Sequence, residues 1–373
     1  MTILALVLWA LVAASAAYYL TALLAALFFR PPRGASFAPP VSILKPVCGR
    51  DRDFYSCIRS HAVQDYSGDL ELLFAARNAG DEAVADIRRL AEEFPNRRIE
   101  LFFTDREYGP NDKVNALERL RRECRGEVLL IDDSDIRVGA DYVRRVMGPL
   151  EDPGAGLVTC QFRGVPGRGL PSLLEALWIA TDFQVSVLVA RLLRVPFALG
   201  ATLALRRRDL ERIGGFGPLA GYLADDYRLG LAIRDLGLRI ELSDQVVETV
   251  LLEDSWPASW RHRLRWGRTL RACRPGGYLG MAVTFTAPLS VAALAVEPSA
   301  WPLAVVALTA RWAAGIFVAA GRLRDPKAGR YLWLMPFGDL VSLGVWIGSL
   351  FGSTVEWRGT RFRLTADGRI RPN

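Results

Sequence analysis

Apolar and polar positions divide this chain into blocks of different character. Residues 3–29 form an uncharged and almost wholly apolar run. About 20 residues of helix cross the hydrocarbon core of a bilayer, so this run is long enough to span one. It has no basic leader and is too long for a secretory signal. Arg30, Arg33 and Lys45 follow it, and a basic flank predicts that the chain after the span lies in the cytoplasm. Apolar runs return at 278–296 and at 301–320, on either side of a Glu297-Pro298-Ser299 turn. A third, 331–351, is interrupted by Pro336, Gly338 and Asp339. A re-entrant or interfacial course for this third run keeps the tail arginines (Arg358, Arg361, Arg363, Arg369 and Arg371) on the same side as the basic loop at Arg322, Arg324, Lys327 and Arg330. Arg311 falls mid-span, which predicts a functional group, a partner such as Asp339, or a side chain reaching for the interface.

Between these blocks the period changes. Val41-Ser42-Ile43-Leu44-Lys45-Pro46 is a β-branched run closed by proline, the mark of a strand. Helical spacing at 54–64, 81–94 and 113–124 alternates with short apolar strands at 70–75, 99–103 and 128–131. Strands alternating with helices predict an α/β domain with a parallel, Rossmann-like sheet. Ligands of such sheets bind beyond the carboxyl ends of the strands.

Composition agrees with apolar blocks set beside an ordinary globular part: 51% hydrophobic residues accompany 23% charged ones, with a mean hydropathy of +0.17. The net charge of +7 comes chiefly from arginine. It suits lipid head groups, nucleotide phosphates or nucleic acid, but a nucleic-acid binder leaves the apolar ends unexplained. The five cysteines include no CxxC pair, which argues against a disulfide framework or a zinc site.

Two acidic clusters carry the candidate chemistry. Asp132-Asp133-Ser134-Asp135 follows the fourth strand directly. Asp133 and Asp135, one residue apart at a strand end, can offer oxygens to one hard divalent cation, Mg²⁺ or Mn²⁺, which keeps its other positions for phosphate and water. The bland alternative is a turn or helix cap. Ala224-Asp225-Asp226-Tyr227 opens a helical stretch. Its acids either favour the helix dipole or supply a general base, with Asp226 as the candidate and Asp225 in support. His262-Arg263-Leu264-Arg265-Trp266 comes third, either as a basic interfacial helix or as a site in which Arg265 holds a diphosphate and Trp266 walls an acceptor.

Taken in order, the leading anchor, the VSILKP strand, Asp133-Ser134-Asp135-Ile136-Arg137-Val138, Ala224-Asp225-Asp226-Tyr227 and the Arg265-Trp266 pair before terminal apolar segments resemble the ceramide glucosyltransferase family of inverting GT-A enzymes. Gly156-Leu157-Val158-Thr159-Cys160, Arg163-Gly164-Val165-Pro166 and Val246-Val247-Glu248-Thr249-Val250 are similar to its bacterial branch that glycosylates hopanoid lipids. The resemblance implies an N-terminal transmembrane helix (1–30), a cytoplasmic GT-A domain (38–274), transmembrane or re-entrant segments (275–352) and a basic tail (353–373) in a multi-pass membrane protein, with the bacterial inner membrane as its expected location. It also implies a UDP-sugar donor, a divalent metal held by Asp133 and Asp135, a lipid acceptor, and Asp226 as base. Asp133, Lys113, Asn115, Arg265 and Trp266 then lie at the donor, with His262 standing where the family has Gln or Arg. The early donor aspartate of the family has Asn78 in its place, with Asp81 slightly later. The rivals are a processive polysaccharide synthase, for which the spans are few, and a non-catalytic membrane-anchored nucleotide- or lipid-binding protein.

Overall fold

The computed structural model describes residues 2–32, 37–252 and 254–372, so that Arg33, counted above in the basic flank, lies outside the described residues. The chain divides into two compact units. One comprises Pro31–Val165, Pro196–Leu252 and Gly368–Asn373, and the other Met1–Arg30, Pro166–Val195 and Glu253–Asp367.

The first unit is built on an eight-stranded sheet. Its strands are β1 (Val41–Pro46), β2 (Leu70–Ala76), β3 (Ile99–Phe103), β4 (Val128–Ile131), β5 (Ile136–Arg137), β6 (Ala155–Val165), β7 (Leu203–Arg206) and β8 (Arg239–Val250), in the order β3-β2-β1-β4-β7-β6-β8-β5. β1 and β4 are buried along their whole length, which is why they read as unbroken apolar runs rather than alternating ones. Each leucine or isoleucine buried this way contributes about 1.5–3 kcal/mol. β1 pairs in parallel with β2 on one side and β4 on the other. The chain therefore winds outward through β2 and β3, then returns across β1 to lay down β4. That reversal is a topological switch point, and the crevice beyond the carboxyl ends of β1 and β4 is where such folds hold ligands.

The parallel order expected from the sequence holds for β3-β2-β1-β4. Beyond β4 the sheet is mixed: β7 runs antiparallel to both β4 and β6, and β6 is parallel to β8. Helix starts also shift slightly. The helix expected from 81 begins at Val84, because Asp81 caps the turn by accepting from Ala83 N at 2.9 Å. The next runs Asp112–Arg121 with Asn111 as N-cap, its side chain accepting from Val114 N at 3.1 Å.

In the second unit four helices among the described residues are long and apolar enough to cross a membrane: Ile3–Leu27, Leu170–Leu192, Pro298–Arg322 and Gly329–Leu350. A further pair, Pro275–Thr284 and Thr286–Val296, is bent by 62°. The break expected near Pro336 thus falls in the earlier segment, since Pro336 sits in the first turn of its helix, where proline's missing N–H costs nothing. Small residues line the packing of the spans, among them Ala16, Ala293, Ala300 and Ala307 around Val12. They let helix backbones approach where no hydrophobic force separates protein from lipid. The Ser15 and Thr286 hydroxyls, 2.7 Å apart, lie in the same packing. The helix Trp256–Cys273 begins on the Ser255 cap with proline in its first turn. Its Arg268 and Arg271 donate to the carbonyls of Phe351 and Gly352 at 3.0 and 2.7 Å. The expected basic tail begins there as a hairpin, Thr354–Trp357 with Thr360–Leu364. Its turn has Arg358 and Gly359 both at positive φ, 49° and 79°, as a type I′ turn requires.

Candidate active site

The loop after β4 carries the first acidic cluster, and its three aspartates have different environments. Asp132 is fully buried. It accepts from the Tyr142 and Thr202 hydroxyls at 2.6 and 3.2 Å and lies 3.3 Å from His61 Nε2. It anchors the loop. Asp133 points the other way, with its side chain 39% exposed. Its backbone carbonyl accepts from the fully buried Lys45 ammonium at 3.1 Å, which ties the loop to the end of β1. Asp135 accepts from the Thr249 hydroxyl on β8 at 2.5 Å, and the β5–β8 pairing that follows holds it there.

The second cluster meets the first through one cation. Lys113 Nζ lies 2.7 Å from Asp133 and 3.6 Å from Asp225. Asp225 also accepts from Asn111 Nδ2 at 3.4 Å. Asp226 accepts from Gly200 N at 2.9 Å and from Tyr227 N at 2.7 Å. Burial works against the charged form of Lys113, but Asp133, Asp225 and Asp226 outweigh it and push its pKa well up. Lys113 is therefore a fixed positive charge. Burial, together with the neighbouring Asp225 carboxylate, raises Asp226 to about 6. Such a group is ionised at neutral pH and still basic enough to take a proton.

Asp135 is likewise raised to about 6, first by burial and then by the Asp133 charge beside it, with Asp51 adding to the effect. Carboxylates gathered with too little positive charge suit a cation. Among the described residues no group of three or more His, Cys, Asp or Glu side chains forms a metal-ligand set. Asp133 and Asp135 alone would supply only part of the shell of a divalent ion, so Mg²⁺ or Mn²⁺ there would need phosphate and water for its remaining positions.

Asn78 and Asp81 shape the turn after β2. Asn78 is exposed and accepts from Gly80 N at 2.9 Å. Asp81 reaches the loop after β1 and accepts from Gly49 N at 2.9 Å. Asn115 is 1% exposed, and its amide is spent on the backbone of Tyr108 and Gly109, at 2.8 and 2.9 Å. It shapes the loop that leads into its helix. His262, Arg265 and Trp266 sit on the helix Trp256–Cys273 of the membrane unit. There His262 Nδ1 meets Glu175 Oε1 at 2.7 Å, and Trp266 packs edge-on against His262, Trp178 and Phe183. Gly200 was missed in the sequence, and Lys45 and Thr249 figured there only as members of motifs, without a part in the site.

The family model of "Glycosyl transferase family 21" matches residues 7–370. A ceramide glucosyltransferase 3 of Caenorhabditis elegans is 25% identical over 365 residues, covering 90% of this chain and 75% of that protein. A ceramide glucosyltransferase of Pyricularia oryzae is 21% identical and covers 89% of this chain and 85% of its own. Among solved structures, the mannosyltransferase PcManGT from Pyrobaculum calidifontis, in complex with GDP-Man and Mn²⁺, superposes with a TM-score of 0.51 at 22% identity, over 92% of this chain and 99% of that one. At that identity the likeness shows the GT-A fold.

Proposed function

The chain belongs to glycosyl transferase family 21, and from that premise we propose that this membrane glycosyltransferase moves glucose or N-acetylglucosamine from a UDP-sugar to the primary hydroxyl of a membrane lipid, a ceramide or a hopanoid polyol. The observation that carries the reading is the convergence of Asp133, Asp225 and Asp226 on Lys113 beyond the strand ends. It joins a diphosphate-binding acid to a basic acid in one place. The ceramide glucosyltransferases among the relatives support a lipid acceptor.

The reaction is a single displacement with inversion. Asp226, held by the Gly200 N–H, accepts the proton of the acceptor hydroxyl as the oxygen forms its bond to the anomeric carbon. The sugar–phosphate bond breaks on the opposite face, and UDP leaves with its electron pair. Lys113 is assigned to the negative charge that develops on the diphosphate, since a fixed charge aimed there lowers the barrier without rearranging. Asp133 and Asp135 would hold a divalent ion, which when bound would neutralise the diphosphate. On the motif alone, Arg265 is assigned to the leaving group, Trp266 and His262 to the substrates, and Asn78 or Asp81 to the uridine. The catalytic unit is assigned to the cytoplasmic side from the basic flank of the first span.

The test is transfer of radiolabel from UDP-glucose and UDP-N-acetylglucosamine to an extracted lipid fraction with Mg²⁺ or Mn²⁺, beside Asp226→Asn. Labelled lipid from the wild type alone is expected. No labelled lipid from either donor, with folded protein and several acceptors, would return the chain to the binding-protein reading.

A further inference from the structure

The membrane unit contains buried polar groups that the transfer chemistry does not use. Glu175, Trp178 and Asp182 are spaced three and four residues apart, so they share one face of the helix Leu170–Leu192. Asp182 lies in a π-helical segment, Ile179–Phe183; such segments re-aim side chains and recur at functional sites. Asp182 is 4% exposed. Its carboxylate makes no hydrogen bond or ion pair among the described residues, although Arg311, Asp339 and Arg263 lie within electrostatic reach. Arg263, 5% exposed, stacks over Trp178 and donates through Nη2 to Ser342 at 2.8 Å. Its Nε–H is buried without a hydrogen-bond partner.

Buried polar groups are nearly always satisfied, because each one left open costs about 1–3 kcal/mol, more if charged. Here an open acceptor and an open donor belong to one electrostatic cluster, in a unit whose helices are apolar enough for lipid. A hydroxyl or amide answers both, since it donates to a carboxylate while accepting from a guanidinium. A phosphate answers only the second, and it would face the carboxylates of Glu175, Asp182 and Asp339, three acids against the two guanidiniums of Arg263 and Arg311.

We propose that Asp182 and Arg263 form a binding site for the uncharged hydroxyl- or amide-bearing head of a membrane lipid, and that the site discriminates against phosphate-headed lipids. The site deepens the lipid-acceptor reading above and rests on it. Asp182 accepts a hydrogen bond from the head group, Arg263 Nε donates one, and Ser342 keeps the guanidinium in place.

The experiment uses the full chain in detergent. Binding of a short-chain fluorescent ceramide, of bacteriohopanetetrol and of dioleoyl phosphatidic acid is titrated for the wild type, Asp182→Asn and Arg263→Met, with UDP binding and melting temperature measured alongside. The ceramide, the polyol or both bind the wild type, which tells the two sources apart, and phosphatidic acid does not. Each substitution weakens the neutral lipid by about tenfold or more while UDP affinity holds. Unchanged affinity in both folded variants, or phosphatidic acid binding as tightly as the neutral lipids, overturns the site. Should either variant fail to fold, photocrosslinking of a diazirine ceramide to the wild type decides instead. Label on peptides holding Asp182 or Arg263 supports the site, and label only elsewhere overturns it. Absence of sugar transfer to any lipid would sink the transferase reading separately, since neither binding nor crosslinking needs turnover.

Discussion

The backbone N–H of Gly200 donates to Asp226 Oδ2 at 2.9 Å, and a Cβ built on that glycine would stand 3.1 Å from the same oxygen. One residue therefore orients the base and leaves it room. Alanine at this position would keep the N–H but crowd the carboxylate, whose neighbour on that side is Lys113 Nζ, 3.6 Å from the same Cβ position. Gly200→Ala is expected to lower kcat by about tenfold to a hundredfold, the range that sub-ångström to 1 Å misplacement of a reacting group produces. UDP affinity and melting temperature should stay near wild type. Steady-state kinetics with a titration of UDP checks this, and unaltered kcat would mean that Asp226 is not the group that must be positioned.

Asp226 itself should set the acid limb of the pH profile. Burial and the Asp225 charge raise it to about 6, and a base works only when ionised. The logarithm of kcat/KM is therefore expected to rise with pH up to about 6 and to level off above it. Asp226→Asn should remove this limb along with about a hundredfold to ten-thousandfold of the rate, the usual worth of a general base, while UDP still binds. Rate against pH from 4.5 to 8 for both proteins is the measurement. An acid limb that persists in the residual activity of the variant would assign it to another group.

Much of this site could be read from residues in line, because β1 and β4 are buried on both faces and betray themselves as unbroken apolar runs. The acids that follow β4 then fall at the strand ends by topology alone. What could not be read was which aspartate faces inward. Asp132 and Asp133 are adjacent and chemically identical. Only the pleat and the partners Tyr142, Thr202 and His61, the last two distant in sequence, make the first a buried anchor. Gly200 contributes a backbone group and so has no side-chain signature. The helix Leu170–Leu192 escaped for a different reason: Glu175 and Asp182 interrupt its apolar run within a stretch otherwise read as soluble. β7, antiparallel in a sheet expected to be parallel, is fixed by long-range pairing that no local period reports.

Lys113 is the cation on which the acids of both clusters converge, so its removal should be felt in stability as well as catalysis. Asp225 is raised by burial, and Asp226 by burial and by Asp225, so each carries more charge as pH rises. Without Lys113 the repulsion among Asp133, Asp225 and Asp226 grows in the same direction. Lys113→Met should therefore lower the melting temperature more at pH 8 than at pH 5, with a cost of about 3 kcal/mol at the higher pH, as for a buried pair that loses one partner. Mg²⁺ or Mn²⁺ should recover part of that loss in this variant, and adding Asp133→Ala should abolish the recovery. Thermal unfolding at the two pH values, with and without metal, tests both parts. An equal loss at both pH values would mean that the carboxylates are not held apart by this lysine.

Arg311, the charge that stood out mid-span in the sequence, is 2% exposed and pairs with Asp339 at 2.8 Å, with a second bond to the Thr181 carbonyl at 2.6 Å and the Tyr19 ring 5.0 Å away. It thereby joins four helical segments of the membrane unit. A buried pair of this kind is costly to break and cheap to replace, since the lone partner keeps its desolvation penalty while an apolar pair has none. Arg311→Met and Asp339→Leu should each destabilise the protein by about 3–5 kcal/mol, and the double substitution by clearly less than their sum. Melting in detergent of all four proteins completes the cycle. A strictly additive result would mean that Arg311 and Asp339 act through separate partners. Activity decides a second point: if the double variant recovers stability and also transfers sugar at near the wild-type rate, the pair fastens the spans together and takes no part in the chemistry.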